Sequence, residues 1–250
     1  MSRVNLPGLA VIAVAIALWQ VVATVGPLSD LRSLPSPTEV VVGFTELIEN
    51  KDLIEPVVHT VLSAFAATGI GIAIGGFFGL LLGLSNGFRT FTNSSFDVLR
   101  TVPVTAIMPV FLLVFGAELR TEIMVASLAA MWPMLVNTAD GVRGLHPRLA
   151  EVGRMFGFSK VTSVRKLTLP AIMPSLLVGA RLAAVTALTA VIVAEMIIVP
   201  FGIGWGLISA QNALQTGQQW ALVVVCGWLG WLFSVGLTTI VNRLQPEGVR

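Results

Sequence analysis

The sequence is poor in charge. Only 11% of its 250 residues are Asp, Glu, Lys or Arg, and 55% are hydrophobic, whereas a soluble globular domain carries charge at about a quarter of its positions. A chain so short of charge belongs in lipid. The formal net charge is +2, so the pI near 9.2 reflects scarce ionisable groups and not a basic patch, and nucleic acid is excluded as a partner. Cys226 is the single cysteine, which rules out an intramolecular disulfide and a CxxC pair. The two histidines, His59 and His146, lie far apart; they are too few for an ordinary zinc site, so no metal centre is expected. No GxxxxGK[ST] phosphate loop occurs, so any ATP hydrolysis must reside in another chain. No Ser/His/Asp arrangement or histidine–carboxylate cluster suggests catalysis in the membrane, and no catalytic residue is expected.

Apolar length is what the chain does have. A helix rising 1.5 Å per residue needs about 20 apolar residues to cross a hydrocarbon core about 30 Å thick. Six stretches qualify: 7–25, 57–84, 99–116, 121–140, 172–199 and 220–241. Pro103 and Pro109 interrupt the third. The apolar core of the first, Leu6 to Val25, exceeds the 7–15 residues of a typical signal-peptide core, so it reads as a retained anchor. The expected fold class is all-α, a polytopic membrane bundle of about six helices. Its parts are an N-terminal span with an outer segment (1–56), a core (57–245) and a short cytoplasmic tail (246–250).

Lysine and arginine set the orientation, because positive loops stay in the cytoplasm. With the N-terminus inside, Arg3, Arg89, Arg100, Arg143, Arg148, Arg154, Lys160, Arg165, Lys166, Arg181, Arg243 and Arg250 are cytoplasmic, against Arg32, Lys51 and Arg120 outside. Both termini are therefore expected in the cytoplasm. In the first outer loop, Ser36-Pro37-Thr38-Glu39 reads as a helix start. Val40, Val41, Phe44, Leu47 and Ile48 follow at helical spacing, predicting a short amphipathic helix on the outer surface. Gly71, Gly75, Gly79 and Gly83 recur every fourth residue and predict a close helix contact, within the chain or across a dimer. The six tryptophans mostly fall near span ends and read as interface-belt residues.

The long loop at about 142–171 differs from the spans around it. Leu149, Val152, Met155 and Phe156 share one helical face while Arg148, Glu151 and Arg154 line another, predicting a short amphipathic helix outside the membrane. Lipid headgroups, the chain's own loops or a partner protein must cover such an apolar face.

The same loop resembles the EAA signature of binding-protein-dependent ABC importer permeases of type I. That signature runs E-A-A, three residues, G, nine residues, I-x-L-P. Here Glu151-Val152-Gly153, Gly157 and Leu167-Thr168-Leu169-Pro170 keep its spacing, with Val152 and Gly153 in place of the alanines and Leu167 in place of isoleucine. The resemblance implies that the loop forms a coupling helix docking on a separate cytoplasmic ATP-binding subunit, which binds ATP and Mg; this chain would need no cofactor. Glu151 and Gly157 are the signature positions, and Arg154, Met155 and Phe156 are the contact candidates. It also implies a second copy of the chain, an external solute-binding protein and a bacterial inner membrane. Ser36-Pro37-Thr38-Glu39, Leu99-Arg100-Thr101-Val102-Pro103, Phe115-Gly116, Ala194-Glu195-Met196 and Gly202-Ile203-Gly204 extend the likeness over roughly 35–245. They resemble the nitrate, sulfonate and taurine branch, which also holds importers of aromatic acids or vitamin precursors. An anion such as a sulfonate, taurine or nitrate is the expected cargo.

Arg181 and Glu195 are charges inside the fifth span, 14 residues and therefore about 21 Å apart along a helix, which puts each nearer an interface than the midplane. Intramembrane charges usually face protein or water, so both are pathway or gate candidates, with Asn137 near the inner end of the fourth span. The rival readings are a cytoplasmic anchor for Arg181 and a structural ion pair or cap for Glu195. Gln211, Asn212, Gln215, Gln218 and Gln219 make the last outer loop amide-rich, suited to a docked binding protein or a pore mouth. A self-sufficient secondary transporter would need ion-coupling groups or an inverted repeat, and no such repeat is evident.

Overall fold

A computed structural model describes residues 6–25, 34–50 and 53–244. The tail expected at 246–250 and the orientation residues Arg3, Arg32, Lys51 and Arg250 lie outside them. In chain order the helices are α1 (Leu6–Thr24), α2 (Pro37–Glu49), α3 (Ile54–Leu84), α4 (Asn86–Leu99), α5 (Val104–Phe115), α6 (Leu119–Arg143) and α7 (Arg148–Met155). After α8 (Lys160–Ser163) comes a π-helical turn (Val164–Thr168), then α9 (Leu169–Ala171), α10 (Met173–Ile197), α11 (Ile203–Asn212) and α12 (Thr216–Leu244).

Among the described residues four helices are long and apolar enough to cross a membrane, α3, α6, α10 and the part of α12 from Thr216 to Gly236; Ala10–Thr24 of α1 and all of α5 are shorter apolar stretches. Six apolar helices are thus present, but the third is not the span expected at 99–116. Pro103 is extended (φ −61°, ψ 124°) and caps α5, so the helix starts only at Val104. Its 12 residues rise about 18 Å, well short of the hydrocarbon thickness. α4 was not anticipated, because it alternates polar and apolar residues and lacks a hydrophobic run.

The glycine stripe explains the packing. A Cβ at Gly71 would stand 2.6 Å from Ala130 Cβ, one at Gly75 2.9 Å from Met134 Cβ, and one at Gly79 2.6 Å from Thr138 Cβ. α3 and α6 therefore run side by side in the same direction, and the stripe is a contact within one chain. Small residues at this spacing let backbones approach where lipid supplies no hydrophobic drive. α10 packs antiparallel to both: Gly179 faces Asn137 near its start, and Glu195 meets Thr60 near its end. Ala64, Ala67, Ala126, Ala130, Ala183, Ala184 and Ala187 fill the shared core, each at most 1% exposed.

The remaining elements frame this three-helix core. Ser36 and Glu39 form a capping box on α2: Ser36 N–H donates to Glu39 Oε2 at 2.7 Å and Glu39 N–H to Ser36 Oγ at 3.4 Å, with proline at the first helical turn. α2 lies on the start of α12, where a Cβ on Gly217 would stand 2.6 Å from Glu39 O. α1 meets α2 through a 3.1 Å bond from Trp19 Nε1 to Pro35 O, and Trp19 rests near the Trp220 ring at 5.6 Å. Trp132 departs from the belt reading: it stands mid-way along α6 with its ring 6.2 Å from Phe96 of α4. The bundle thus has an α7 end, with Leu84, Arg143 and Met173, and a far end, with Ile54, Leu119, Ile197 and α11.

Candidate functional site

At the α7 end the loop is helical almost throughout. α7 stops in a Schellman geometry: Phe158 N–H donates to Gly153 O at 2.9 Å and Gly157 N–H to Arg154 O at 3.0 Å. Gly157 takes the left-handed position, φ +64°, which glycine adopts without the steric penalty of other residues. Gly153 is buried, and a Cβ there would meet Ser163 Oγ at 2.9 Å and Leu167 Cδ1 at 3.3 Å. The glycine at that signature position therefore seats α7 directly on the π-helical turn. Met155 and Phe156 are 85% and 72% exposed, with the Phe156 ring stacked 5.8 Å from Phe158 and Lys166 Nζ 5.5 Å above Phe158. Glu151 and Arg154 are exposed beside them. A short rigid helix thus holds two large apolar side chains away from the chain's own core.

The three pathway candidates fall in different surroundings. Asn137 Nδ2 donates to Pro133 O within its own helix at 2.8 Å. Arg181 reaches across to α12, donating from Nε and Nη2 to Ser234 Oγ at 3.2 and 2.7 Å. Glu195 is fully buried and accepts from Thr60 Oγ1 at 2.6 Å and Gly204 N–H at 2.8 Å, while Thr60 Oγ1 itself accepts from Ile203 N–H at 3.1 Å. The carboxylate thereby ties the end of α10 to α3 and to the first turn of α11.

The absence of a histidine–carboxylate cluster, expected from sequence, is corrected here. His59 Nε2 lies 3.1 Å from Glu122 Oε2, and ligand-capable atoms of His59, Glu122 and Glu195 all lie within 4.8 Å of one another. Glu122 and Thr60 are also fully buried. Positions 63 residues apart for His59 and Glu122 and 135 apart for Thr60 and Glu195 give no local signal that would join His59 and Thr60 to Glu122 and Glu195 in the sequence. Above the cluster a far-end cavity of about 510 Å³ is lined by Glu55, Phe201, Trp205, Ser209, Gln215 and Gln218 among others. Two of the amide residues noted in the sequence thus face it.

A second cleft opens on one side of the core, where Arg100, Thr101, Thr105, Thr186, Thr189 and Trp132 are among the lining residues. Its surface is mostly apolar: the hydroxyls of Thr101, Thr186 and Thr189 donate to the carbonyls of Val98, Leu182 and Val185, and Arg100 pairs with Asp97 at 3.1 Å.

A bundle of apolar helices with a short helix presenting exposed apolar side chains beyond them is the frame of a membrane-embedded subunit. The family described as binding-protein-dependent transport system inner membrane component matches residues 58–247, and the chain belongs to it, in the branch of sulfonate, nitrate and taurine permeases. Over 241 residues it is 33% identical to a Bacillus subtilis protein named for aliphatic sulfonates transport, covering 95% of this chain and 86% of that one. It is 28% identical over 246 residues to the nitrate import permease of Synechococcus elongatus, covering 94% and 87%. The fold is also that of the membrane subunit in an inward-facing methionine ABC transporter, at 19% identity and TM-score 0.65 over 74% of this chain and 92% of that one. The chain is thus a multi-pass ABC permease subunit.

Proposed function

We propose that this permease works as a homodimer, with an ATP-binding subunit held on α7 of each copy and a solute-binding protein docking at the far end. The α7 end then faces the cytoplasm and the far end faces outward, with both termini inside. ATP and Mg belong to the partner subunit; their binding there draws the two α7 helices together and rocks the spans between inward-open and outward-open. The cargo is a small organic or inorganic anion of the sulfonate, taurine or nitrate type.

The observation that carries this reading is the pair Met155 and Phe156, exposed at the end of a helix whose exit Gly157 fixes. A protruding aromatic on a rigid support is the usual form of an energetic anchor. Support for an anion comes from the similarity to permeases named for aliphatic sulfonates and for nitrate; the side cleft adds the Arg100 guanidinium, itself 3.1 Å from Asp97 Oδ1.

Co-expression with neighbouring genes tests the partner: the tagged chain should retain an ATPase in mild detergent, and replacing Gly157 with a bulky residue should release it or uncouple hydrolysis. Transport that persists without ATP and without a retained ATPase would defeat the proposal. In proteoliposomes, ATP hydrolysis stimulated by the binding protein loaded with a sulfonate or nitrate, but not with an uncharged analogue, identifies the cargo class. Equal stimulation by both would refute the anion assignment.

A further inference from the structure

We infer that His59, Glu122 and Glu195 form a binding site for one divalent transition cation of the zinc class, clamping the far ends of α3, α6 and α10. Three observations carry this. First, because the three ligand atoms lie within 4.8 Å of one another, a point exists within about 2.8 Å (4.8 Å divided by √3) of all three; zinc binds imidazole and carboxylate at about 2.0–2.2 Å, so small side-chain adjustments close the site. Second, among the described residues neither carboxylate forms an ion pair with lysine or arginine. Two buried carboxyl groups facing one imidazole must either hold protons to stay neutral or, if ionised, be paired or coordinate a metal, and a divalent ion balances both in the ionised form. Third, among the described residues Glu122 Oε1 has no close partner beyond the hydroxyl of Ser63, which lies one helical turn beyond His59 on α3 and is directed at Glu122. They are 0% and 2% exposed. Glu122 Oε1 therefore has only the Ser63 hydroxyl beside it and keeps lone-pair capacity for a cation.

The surroundings suit a metal. Thr60 Oγ1 and Gly204 N–H already orient Glu195, as hydrogen bonds behind metal ligands do. The Phe201 ring meets His59 edge-on at 5.0 Å, and Phe201 also lines the far-end cavity, which gives an ion a route in from outside. One nitrogen and two carboxylates fit a borderline cation such as zinc rather than magnesium or calcium, which take oxygen ligands.

The test uses the untagged full-length chain in detergent, stripped with EDTA, reloaded with Zn²⁺ alone and passed through gel filtration. One zinc per chain should be retained, and X-ray absorption at the zinc edge should show one imidazole, oxygen ligands and no sulfur. Glu122→Gln and His59→Gln should each weaken binding about 100-fold or more, since even loss of a supporting hydrogen bond costs 10–100-fold, while His146→Gln should leave it unchanged. If no zinc is retained, if its spectrum lacks imidazole, or if both substitutions keep wild-type affinity, the site does not exist and the three groups share protons instead. Should either variant fail to fold, the wild-type spectrum decides alone.

Discussion

The two ends of this bundle meet opposite demands. At the far end, polar groups are buried and bonded to one another: Glu195, Thr60 and the α11 backbone form a closed chain of hydrogen bonds. At the α7 end, apolar groups stay largely exposed, Met155 and Phe156 above all, with only the Phe158 ring stacked on Phe156. Buried polar networks fix helices against each other, whereas uncovered apolar side chains on a rigid support await a partner. One end therefore holds the shape of the subunit, and the other is where the proposed ATP-binding subunit would act.

That contrast can be broken experimentally, beginning with the largest effect. Glu195→Ala should cost about 3 kcal/mol, because it strands the Gly204 N–H in a buried site and leaves a cavity where the side chain stood, and should lower the unfolding temperature in detergent while leaving ATPase retention per folded molecule unchanged. Gly75→Ala should cost about 2 kcal/mol by forcing α3 off α6, as overpacking does, with the same thermal readout. Phe156→Ala should do the reverse: stability within about 0.5 kcal/mol of wild type, but affinity for the ATPase reduced by about 2 kcal/mol, near 30-fold. Gly157→Ala should cost about 1 kcal/mol of left-handed strain and lower both readouts slightly. Loss of stability on Phe156→Ala, or loss of ATPase retention on Glu195→Ala at full folding, would erase the distinction between the ends.

What could be read from sequence follows the same division. α7 was legible because its signal is local: alternating faces over eight residues, then a glycine at a fixed offset. The capping box on α2 was legible for the same reason. The glycine stripe predicted a close contact, but only the structure identifies α6 of the same chain as its partner. Hydropathy located the long spans yet misjudged 99–116, since an apolar run does not register that Pro103 ends one segment and begins another. The far-end cluster was invisible because His59, Glu122 and Glu195 converge from three helices, and a histidine isolated in sequence looks like packing.

The central claim is that force enters through α7, and proximity tests it most directly. In a Cys226→Ser background, a thiol introduced by Phe156→Cys should cross-link to the ATP-binding subunit in intact membranes, while one introduced by Phe201→Cys at the far end should not. Cross-linking from position 201, or none from position 156 in a complex that still transports, would contradict it.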